Sequence, residues 1–272
     1  MKPRSFVPIA LICVLTATLS LPKSIAQGAA PARAKQSIVS IVRAPNDLSL
    51  STLVESETSI LPEQRTIIQQ VLSLLTPSCQ NRILNFYIRY DHPESRGLAN
   101  GDTVIVSGNV PDDEFRALLV HEMLGHVQDV GCLAGTVQSG ESEFADGGTP
   151  VYENDPSLLF YRISWSNSDA KKPRSKAADF ISEYAHTSDP FEDLAESVTY
   201  FILHRQDFAH MTKSNTILAA KYAWIEHYMF PSAPSYAKST YVWNSRSIPW
   251  DATKLPYEWF GHGDVALARG KR

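Results

Sequence analysis

The sequence lacks a long apolar run, an excess of positive charge and an internal repeat, and these absences exclude whole classes of protein. The apolar stretch at residues 6–21 is about 16 residues long, whereas a membrane-spanning helix needs about 20. Lys and Arg (25) are outnumbered by Asp and Glu (29), so the chain has no electrostatic reason to bind nucleic acid. A composition that is 43% apolar and 20% charged instead indicates a globular protein with a sizeable core.

The N-terminal segment has the pattern of a secretory signal peptide at residues 1–26. Lys2 and Arg4 precede the apolar stretch, and the small residues around Ala26 predict cleavage after that residue. Cleavage removes three bases and no acid, which takes the formal charge from −4 to −7. We therefore expect a secreted or periplasmic (cell-envelope) protein. An uncleaved anchor is the alternative, because the apolar stretch sits at the length boundary, and a membrane partner is expected only in that case.

Cysteine is scarce, with three residues in the whole chain. Cys13 lies in the predicted signal peptide, which leaves Cys79 and Cys132. In an exported chain two cysteines predict one disulfide, and two unpaired buried thiols are the alternative.

The apolar periodicity predicts an α+β fold. The predicted segments are a flexible leader (27–45), a helix (60–76), strands (83–90 and 103–107), a helix (about 111–130), a glycine-rich loop (131–156), and helices (157–164, 190–205 and 214–229). The first strand places four apolar side chains on one face: Leu84, Phe86, Ile88 and Tyr90. We expect a small mixed or antiparallel sheet to pack against the helix at 111–130, with a mostly helical part after it. The tail at 231–272, rich in Trp and Pro, has little periodicity and is expected to pack on the domain irregularly.

The predicted helix at 111–130 carries His-Glu-Met-Leu-Gly-His at positions 121–126. Zinc prefers imidazole nitrogen and carboxylate oxygen, and two histidines on one helix with Glu after the first are a common way to present them. Here the histidines are five residues apart, which leaves them about 140° from each other on an ideal α-helix. A one-residue π-bulge would restore a shared face, and Gly125 is well placed to permit it. The alternative is an amphipathic helix with two unrelated histidines.

A second acidic motif, Glu-Asp-Leu-Ala-Glu, begins at Glu192. Glu192 and Glu196 are four residues apart and therefore share one face of the predicted helix, beside its apolar stripe. A carboxylate at the rim of the core would be neutralised by a metal ion. A solvated acidic edge is the alternative, because exposed carboxylates are the default.

The two motifs resemble parts of known zinc peptidases. The hexapeptide at 121–126 resembles that of the dipeptidyl-peptidase III family, which has the same extra residue between its histidines. The stretches 181–187 and 191–196 are similar to the C-terminal part of the anthrax lethal factor-like peptidases, with the likeness covering roughly residues 118–205. Both resemblances point to a gluzincin-type metallopeptidase and imply a zincin-like domain at residues 46–230.

This resemblance implies one Zn²⁺ per chain, bound by His121, His126 and Glu192. Glu122 would act as the general base on a water molecule. Tyr184, eight residues before Glu192, would hydrogen-bond the oxyanion.

The resemblance also implies a supporting carboxylate. Glu196 would fix the tautomer of a ligand histidine. Asp129, three residues after His126, is a second candidate for that role, and a surface acid at the helix end is its alternative.

The other histidines and the tail tryptophans carry weaker signals. His186 could donate to a transition state, but a polar loop histidine is the favoured interpretation. Four histidines lack partner spacing and are expected to be surface or satisfied core residues: His204, His210, His227 and His262. Three tail tryptophans are expected to clamp the tail onto the domain, with a glycan-stacking face as the alternative: Trp243, Trp250 and Trp259.

The sequence therefore predicts an exported zinc metallopeptidase with a peptide or protein substrate. Two alternatives belong to other functional classes. One is a catalytically inactive zinc-binding adhesin or interaction domain. The other is a metal-free envelope binding module whose function lies in the aromatic tail.

Overall fold

The computed structural model describes five ranges of the chain: 40–43, 49–52, 60–90, 96–242 and 248–261. The predicted signal peptide lies outside the described residues, as do Trp243 and His262. The described residues belong to one compact unit.

The described residues form the mixed α+β fold that the sequence predicted. The helices are α1 (Pro62–Leu72), α2 (Pro77–Gln80), α3 (Asp112–Leu119), α4 (Leu158–Ser164), α5 (Glu183–Thr187), α6 (Pro190–Leu203), α7 (Arg205–Met211) and α8 (Thr216–Tyr228). The strands are β1 (Ser40–Arg43), β2 (Ser49–Thr52), β3 (Asn85–Arg89), β4 (Gly97–Ala99), β5 (Thr103–Ser107), β6 (Glu141–Asp146), β7 (Thr149–Tyr152), β8 (Trp165–Asn167), β9 (Ala170–Lys171), β10 (Ala237–Ser239) and β11 (Tyr257–Trp259). In the part of the chain that the structure describes, no helix is both long and apolar enough to cross a bilayer.

The central sheet has the strand order β3-β5-β4, with β3 parallel and β4 antiparallel to β5. Phe86 and Ile88 of β3 are buried, as the alternating pattern predicted. Leu84 precedes the strand and is 57% exposed, so the buried face is shorter than predicted. Because β5 lies in the middle of this sheet, β4 is an edge strand.

The predicted helix at 111–130 changes its hydrogen-bonding pattern part of the way along. It begins as α3, with three acids in the first turn where the helix dipole favours them, and continues from Val120 to Cys132 as a π-helix. The last residue of the π-helix, Cys132, forms the predicted disulfide with Cys79 of α2, with a Cα–Cα distance of 5.4 Å. The disulfide therefore ties the end of the π-helix to the segment before β3.

Helix α6 packs along the π-helix, and its start is well defined. Asp189 caps it, because its Oδ1 accepts from the backbone N–H groups of Phe191 (3.0 Å) and Glu192 (2.9 Å). At the crossing, a Cβ built on Gly125 would lie 2.6 Å from the Cβ of Ala195. Gly125 therefore permits close approach of the two helices, a role different from the local π-bulge that the sequence suggested.

Besides the turn-rich loop predicted at 91–102, which contains β4, three segments predicted to be irregular contain paired strands. In the predicted loop at 131–156, β6 and β7 form a hairpin around Gly147 (φ 52°) and Gly148 (φ 89°), a turn that needs positive φ. Only Phe144 is buried in β6, so the alternation was too weak to predict a strand. In the tail, β10 pairs with β11.

The third segment is the predicted leader at 27–45, of which only residues 40–43 are described. They form β1, which pairs antiparallel with β2. The β-branched residues Ile41 and Val42 favour this extended backbone, so strand pairing begins before the domain boundary predicted at residue 46.

Candidate metal centre

Two imidazoles and one carboxylate converge where the π-helix meets α6. Potential ligand atoms of His121, His126 and Glu192 all lie within 4.8 Å of one another. Oε2 of Glu192 lies 3.1 Å from Nε2 of His121 and 3.4 Å from Nε2 of His126. The ring centroids of the histidines are 5.0 Å apart. The structure thus brings together the three side chains that the sequence grouped as metal ligands.

The π-helix explains how histidines five residues apart share a face. In a π-helix the N–H of each residue bonds to the carbonyl five residues earlier, so residues five apart stack on successive turns. The sequence predicted a one-residue bulge at this point, but the pattern extends over 13 residues, from Val120 to Cys132. The shared face is therefore a property of the whole segment.

These three side chains shift one another's pKa values. Burial is the largest single influence and lowers the pKa of each imidazole, but the hydrogen bonds and negative charges of the surrounding glutamates together outweigh it and leave the pKa of both His121 and His126 raised. Burial raises the pKa of Glu192, and its hydrogen bonds to the two imidazoles outweigh that effect and hold the pKa well below its ordinary value. The carboxylate of Glu192 therefore stays ionised beside the Nε2 atoms of the two histidines. A divalent cation would meet this same donor set and displace the protons, which is the fit expected for two histidines and a glutamate around zinc.

Glu196 supports His121 from the side away from Glu192. Its Oε1 lies 3.2 Å from Nδ1 of His121. Its Oε2 accepts from the hydroxyl of Ser182 and from the backbone N–H of Ala252 (2.8 Å), and the side chain has no solvent exposure. A proton on Nδ1 facing Glu196 would leave Nε2 free for a metal ion, so this contact is compatible with the supporting role that the resemblance implied for this acid.

Asp129 has neither of the roles that the sequence suggested. It is 1% exposed, so it is not a surface acid, and its Oδ2 accepts from the hydroxyl of Tyr161. Burial raises the pKa of Asp129 to about 7, while the charge of His126 acts on it only as a minor opposing influence. Three residues do not complete a turn of a π-helix, so Asp129 does not stack on His126.

Glu122 of the π-helix lines the same cavity as the three candidate ligands His121, His126 and Glu192. It is 4% exposed, and its Oε2 has no hydrogen-bond partner among the described protein atoms. Its Oε1 would lie 2.0 Å from a Cβ built on Gly97 of β4, so any side chain at position 97 would displace the carboxylate. Burial raises the pKa of Glu122, and the nearby imidazoles oppose that rise. This arrangement would suit a proton acceptor, because Glu122 lines the cavity and keeps one carboxylate oxygen without a protein partner.

Tyr184 on α5 also borders the cavity. Burial, followed by the charge and hydrogen bond of Glu192, raises the pKa of its phenol, so the hydroxyl remains protonated and can donate. His186, two residues on, lies against the ring of Phe180 at a centroid distance of 5.0 Å and does not line the cavity. The structure thus separates these two candidates for oxyanion contact.

The cavity has a volume of about 360 Å³ and includes residues that no motif indicated. Those from outside the two motifs include Arg96, Leu98, Asp146, Trp250, Asp251 and Thr253. Gly97 could have been suspected from its position in a turn-rich segment. Asp251 and Thr253 of the tail carry no sequence signal, because they reach the site only through tertiary packing, whereas Trp250 was singled out only as one of the tail aromatics.

The tail holds several parts of the site in place. The backbone carbonyl groups of Pro249 and Trp250 accept from the N–H groups of Glu183 (2.8 Å) and Tyr184 (2.9 Å) on α5. The neighbouring Ala252 donates to Glu196, as described above. The tail therefore positions both the phenol and the acid that supports His121.

Arg96 connects the tail to β4. Its guanidinium donates to Asp251, to Thr253 (3.1 Å) and to Glu114 of α3 (2.7 Å). Two carboxylates therefore compensate this one cation. Because Arg96 directly precedes Gly97, the network also fixes the start of the strand beside Glu122.

The two described tail tryptophans have different roles. Trp259 stacks on Tyr236 (centroids 6.2 Å apart) and lies under the guanidinium of Arg116 (4.8 Å), so it clamps the tail as the sequence predicted. Trp250 is 62% exposed and lines the cavity.

No protein-family model, curated protein or solved structure matches this chain.

Proposed function

We propose that this protein is a zinc-dependent peptidase with a zincin-like arrangement of sheet and helices. The observation that carries the proposal is the convergence of His121, His126 and Glu192 within 4.8 Å, with the buried carboxylate of Glu122 in the same cavity. A donor set of two imidazoles and one carboxylate with space for a further ligand is typical of catalytic zinc sites. The motif resemblances to zinc peptidases agree with this assignment.

The residues of the cavity have complementary roles. Zinc, when bound, supplies Lewis acidity that lowers the pKa of a water molecule to about 7 and polarises a carbonyl group. Glu122 would be placed to accept a proton from the attacking water and to pass it to the leaving amine. Tyr184 donates its hydroxyl hydrogen bond to the oxyanion.

The position of β4 supports a peptide as the substrate. This strand has β5 on one side, and all three of its residues line the cavity. An extended peptide can add to such an edge through main-chain hydrogen bonds. A scissile bond would then lie beside Glu122, because Gly97 touches that carboxylate.

The disulfide supports an exported location, since such bonds persist in oxidising compartments. We therefore propose that the protein is secreted or resides in the cell envelope.

The decisive experiment compares the wild-type protein with Glu122→Gln and Glu192→Gln. We expect one zinc per chain by elemental analysis in the wild type and in Glu122→Gln, and markedly less in Glu192→Gln. Cleavage of a capped peptide library, followed by mass spectrometry, should fall about 10²–10⁴-fold in Glu122→Gln, the usual contribution of a general base.

The alternatives give different results. Stoichiometric zinc without cleavage of any peptide would indicate a non-catalytic zinc-binding domain. No zinc, together with a Tm that a chelator leaves unchanged, would indicate a metal-free binding module. Peptidase activity retained by Glu122→Gln would refute the assigned base.

A further inference from the structure

Trp250 is a largely exposed aromatic residue in the lining of the cavity. It is 62% exposed while lining the cavity beside the metal centre. Its ring centroid lies 6.4 Å from that of Tyr184. Covering an aromatic side chain of this size removes substantial apolar area from water, so a bound molecule that covers Trp250 gains affinity.

The backbone that carries Trp250 is held from both sides. Its carbonyl group accepts from the N–H of Tyr184 (2.9 Å), and the carbonyl group of Pro249 accepts from Glu183 (2.8 Å). On the other side, Asp251 is paired with Arg96. The indole is therefore presented from an ordered segment, which limits the entropy lost when a molecule binds it.

A second exposed apolar side chain lines the same cavity. Leu98 of the edge strand β4 is 61% exposed. The tail and the edge strand thus each contribute one exposed apolar residue to the lining of a cavity that also contains several carboxylates. Leu98 cannot hydrogen-bond a sugar hydroxyl, so this pair favours an apolar side chain over a glycan.

We propose that Trp250, with Leu98, forms the specificity-determining subsite of this cavity, and that it binds an aromatic or large aliphatic side chain of an extended peptide. This inference rests on the proposed peptidase function and names its substrate class. Main-chain pairing with β4 sets the direction of the peptide, and the indole selects one of its side chains.

The test uses the full-length chain with Trp250→Ala, the conservative Trp250→Phe, and Val137→Ala as a control. Val137 is 68% exposed and does not line the cavity, so it reports any general effect of removing exposed apolar surface. The probes are capped peptides that carry either Phe or Ala at each position in turn. Both kcat/KM and binding to the catalytically impaired Glu122→Gln background are measured.

We expect the wild type to prefer Phe at one position near the cleaved bond. Trp250→Ala should lower kcat/KM for that Phe peptide about 10- to 100-fold and leave the matching Ala peptide within about twofold. Trp250→Phe should restore most of the preference, and Val137→Ala should retain it. Equal losses for the Phe and Ala peptides, or no loss, would overturn the inference while leaving the peptidase proposal intact.

The binding measurement separates this inference from the proposed function. If the wild type cleaves no peptide, the peptidase proposal fails, but weaker binding of the Phe peptide in Glu122→Gln/Trp250→Ala than in Glu122→Gln would still support the subsite. Peptide binding that is indifferent to Trp250, or binding of oligosaccharides in place of peptides, would refute it.

Discussion

Helix α6 carries buried or half-buried acids on two sides, and they are compensated in different ways. On one side Glu192 and Glu196 face imidazoles of the candidate metal centre. On the other side Asp193 has no solvent exposure and is paired with Lys221, whose Nζ lies 2.8 and 2.7 Å from its two carboxylate oxygens. The two acids Glu192 and Asp193 are adjacent in sequence, yet their environments differ in kind.

The Asp193–Lys221 pair is closed to further ligands. Trp165 donates to Asp193 (3.0 Å), and Lys221 also donates to the carbonyl group of Asp179 (3.0 Å). Burial raises the pKa of Asp193 and lowers that of Lys221, while each partner opposes the shift of the other. The pair is therefore a structural connection between α6 and α8 that needs no external charge.

The metal-facing side is different because neutral imidazoles can accept either a proton or a metal ion. The charge of Glu192 is therefore compensated only when an imidazole takes up a proton or when a metal ion binds. A carboxylate whose partners are imidazoles is therefore a candidate for metal binding, whereas one whose partner is a lysine ammonium is a candidate for a structural role.

The largest expected effect comes from breaking the closed pair. Lys221→Met leaves Asp193 buried without a cation and should lower the free energy of unfolding by about 3–5 kcal/mol, measured by urea denaturation. The exposed Lys213→Met serves as a control and should change it by less than about 0.5 kcal/mol. The folded fraction of Lys221→Met should still bind zinc. A loss under about 1 kcal/mol would show that Asp193 does not depend on Lys221.

A smaller effect is expected on the metal-facing side. In Glu196→Gln the amide can keep the acceptor for Ser182 and Ala252, but it presents NH₂ to Nδ1 of His121. Zinc affinity, measured by competition with a chromophoric chelator, should fall about 10- to 100-fold. Glu183→Gln, an exposed acid on α5, is the control. Unfolding in excess chelator tests for a purely structural effect, since a stability loss there with normal zinc affinity would contradict the supporting role.

Asp129 extends the comparison to a buried acid without a paired cation. Burial raises its pKa to about 7 in the folded protein, against about 3.9 in an unfolded chain. Between those values the folded state keeps a proton that the unfolded state has released, so the free energy of unfolding falls as the pH rises through this window. Asp129→Asn should remove that dependence.

We therefore expect Asp129→Asn to be more stable than the wild type at pH 8, by on the order of 1 kcal/mol, with the difference shrinking towards pH 5. Thermal unfolding in excess chelator at the two pH values measures this without a contribution from metal binding. Asp169→Asn, an exposed acid, is the control. A difference that grows as the pH falls would contradict the raised pKa.

Local chemistry made part of the fold predictable. The apolar stripe placed α6 within two residues of its observed ends, and alternation located β3. The hairpin β6–β7 was missed because its solvent-facing strands bury only one apolar side chain each. In that case backbone pairing and a Gly-Gly turn, rather than hydrophobic alternation, determine the structure.

Residue type and spacing along a helix are local properties, so the sequence was enough to indicate which side chains of the candidate centre could coordinate a metal. Tertiary packing decided how they meet, because Glu192 reaches the two histidines only where Gly125 lets α6 approach the π-helix. It also brought Trp250 and Ala252 to the site from more than 50 residues beyond Glu192. Contacts across such separations depend on packing of the whole domain, which no local pattern records.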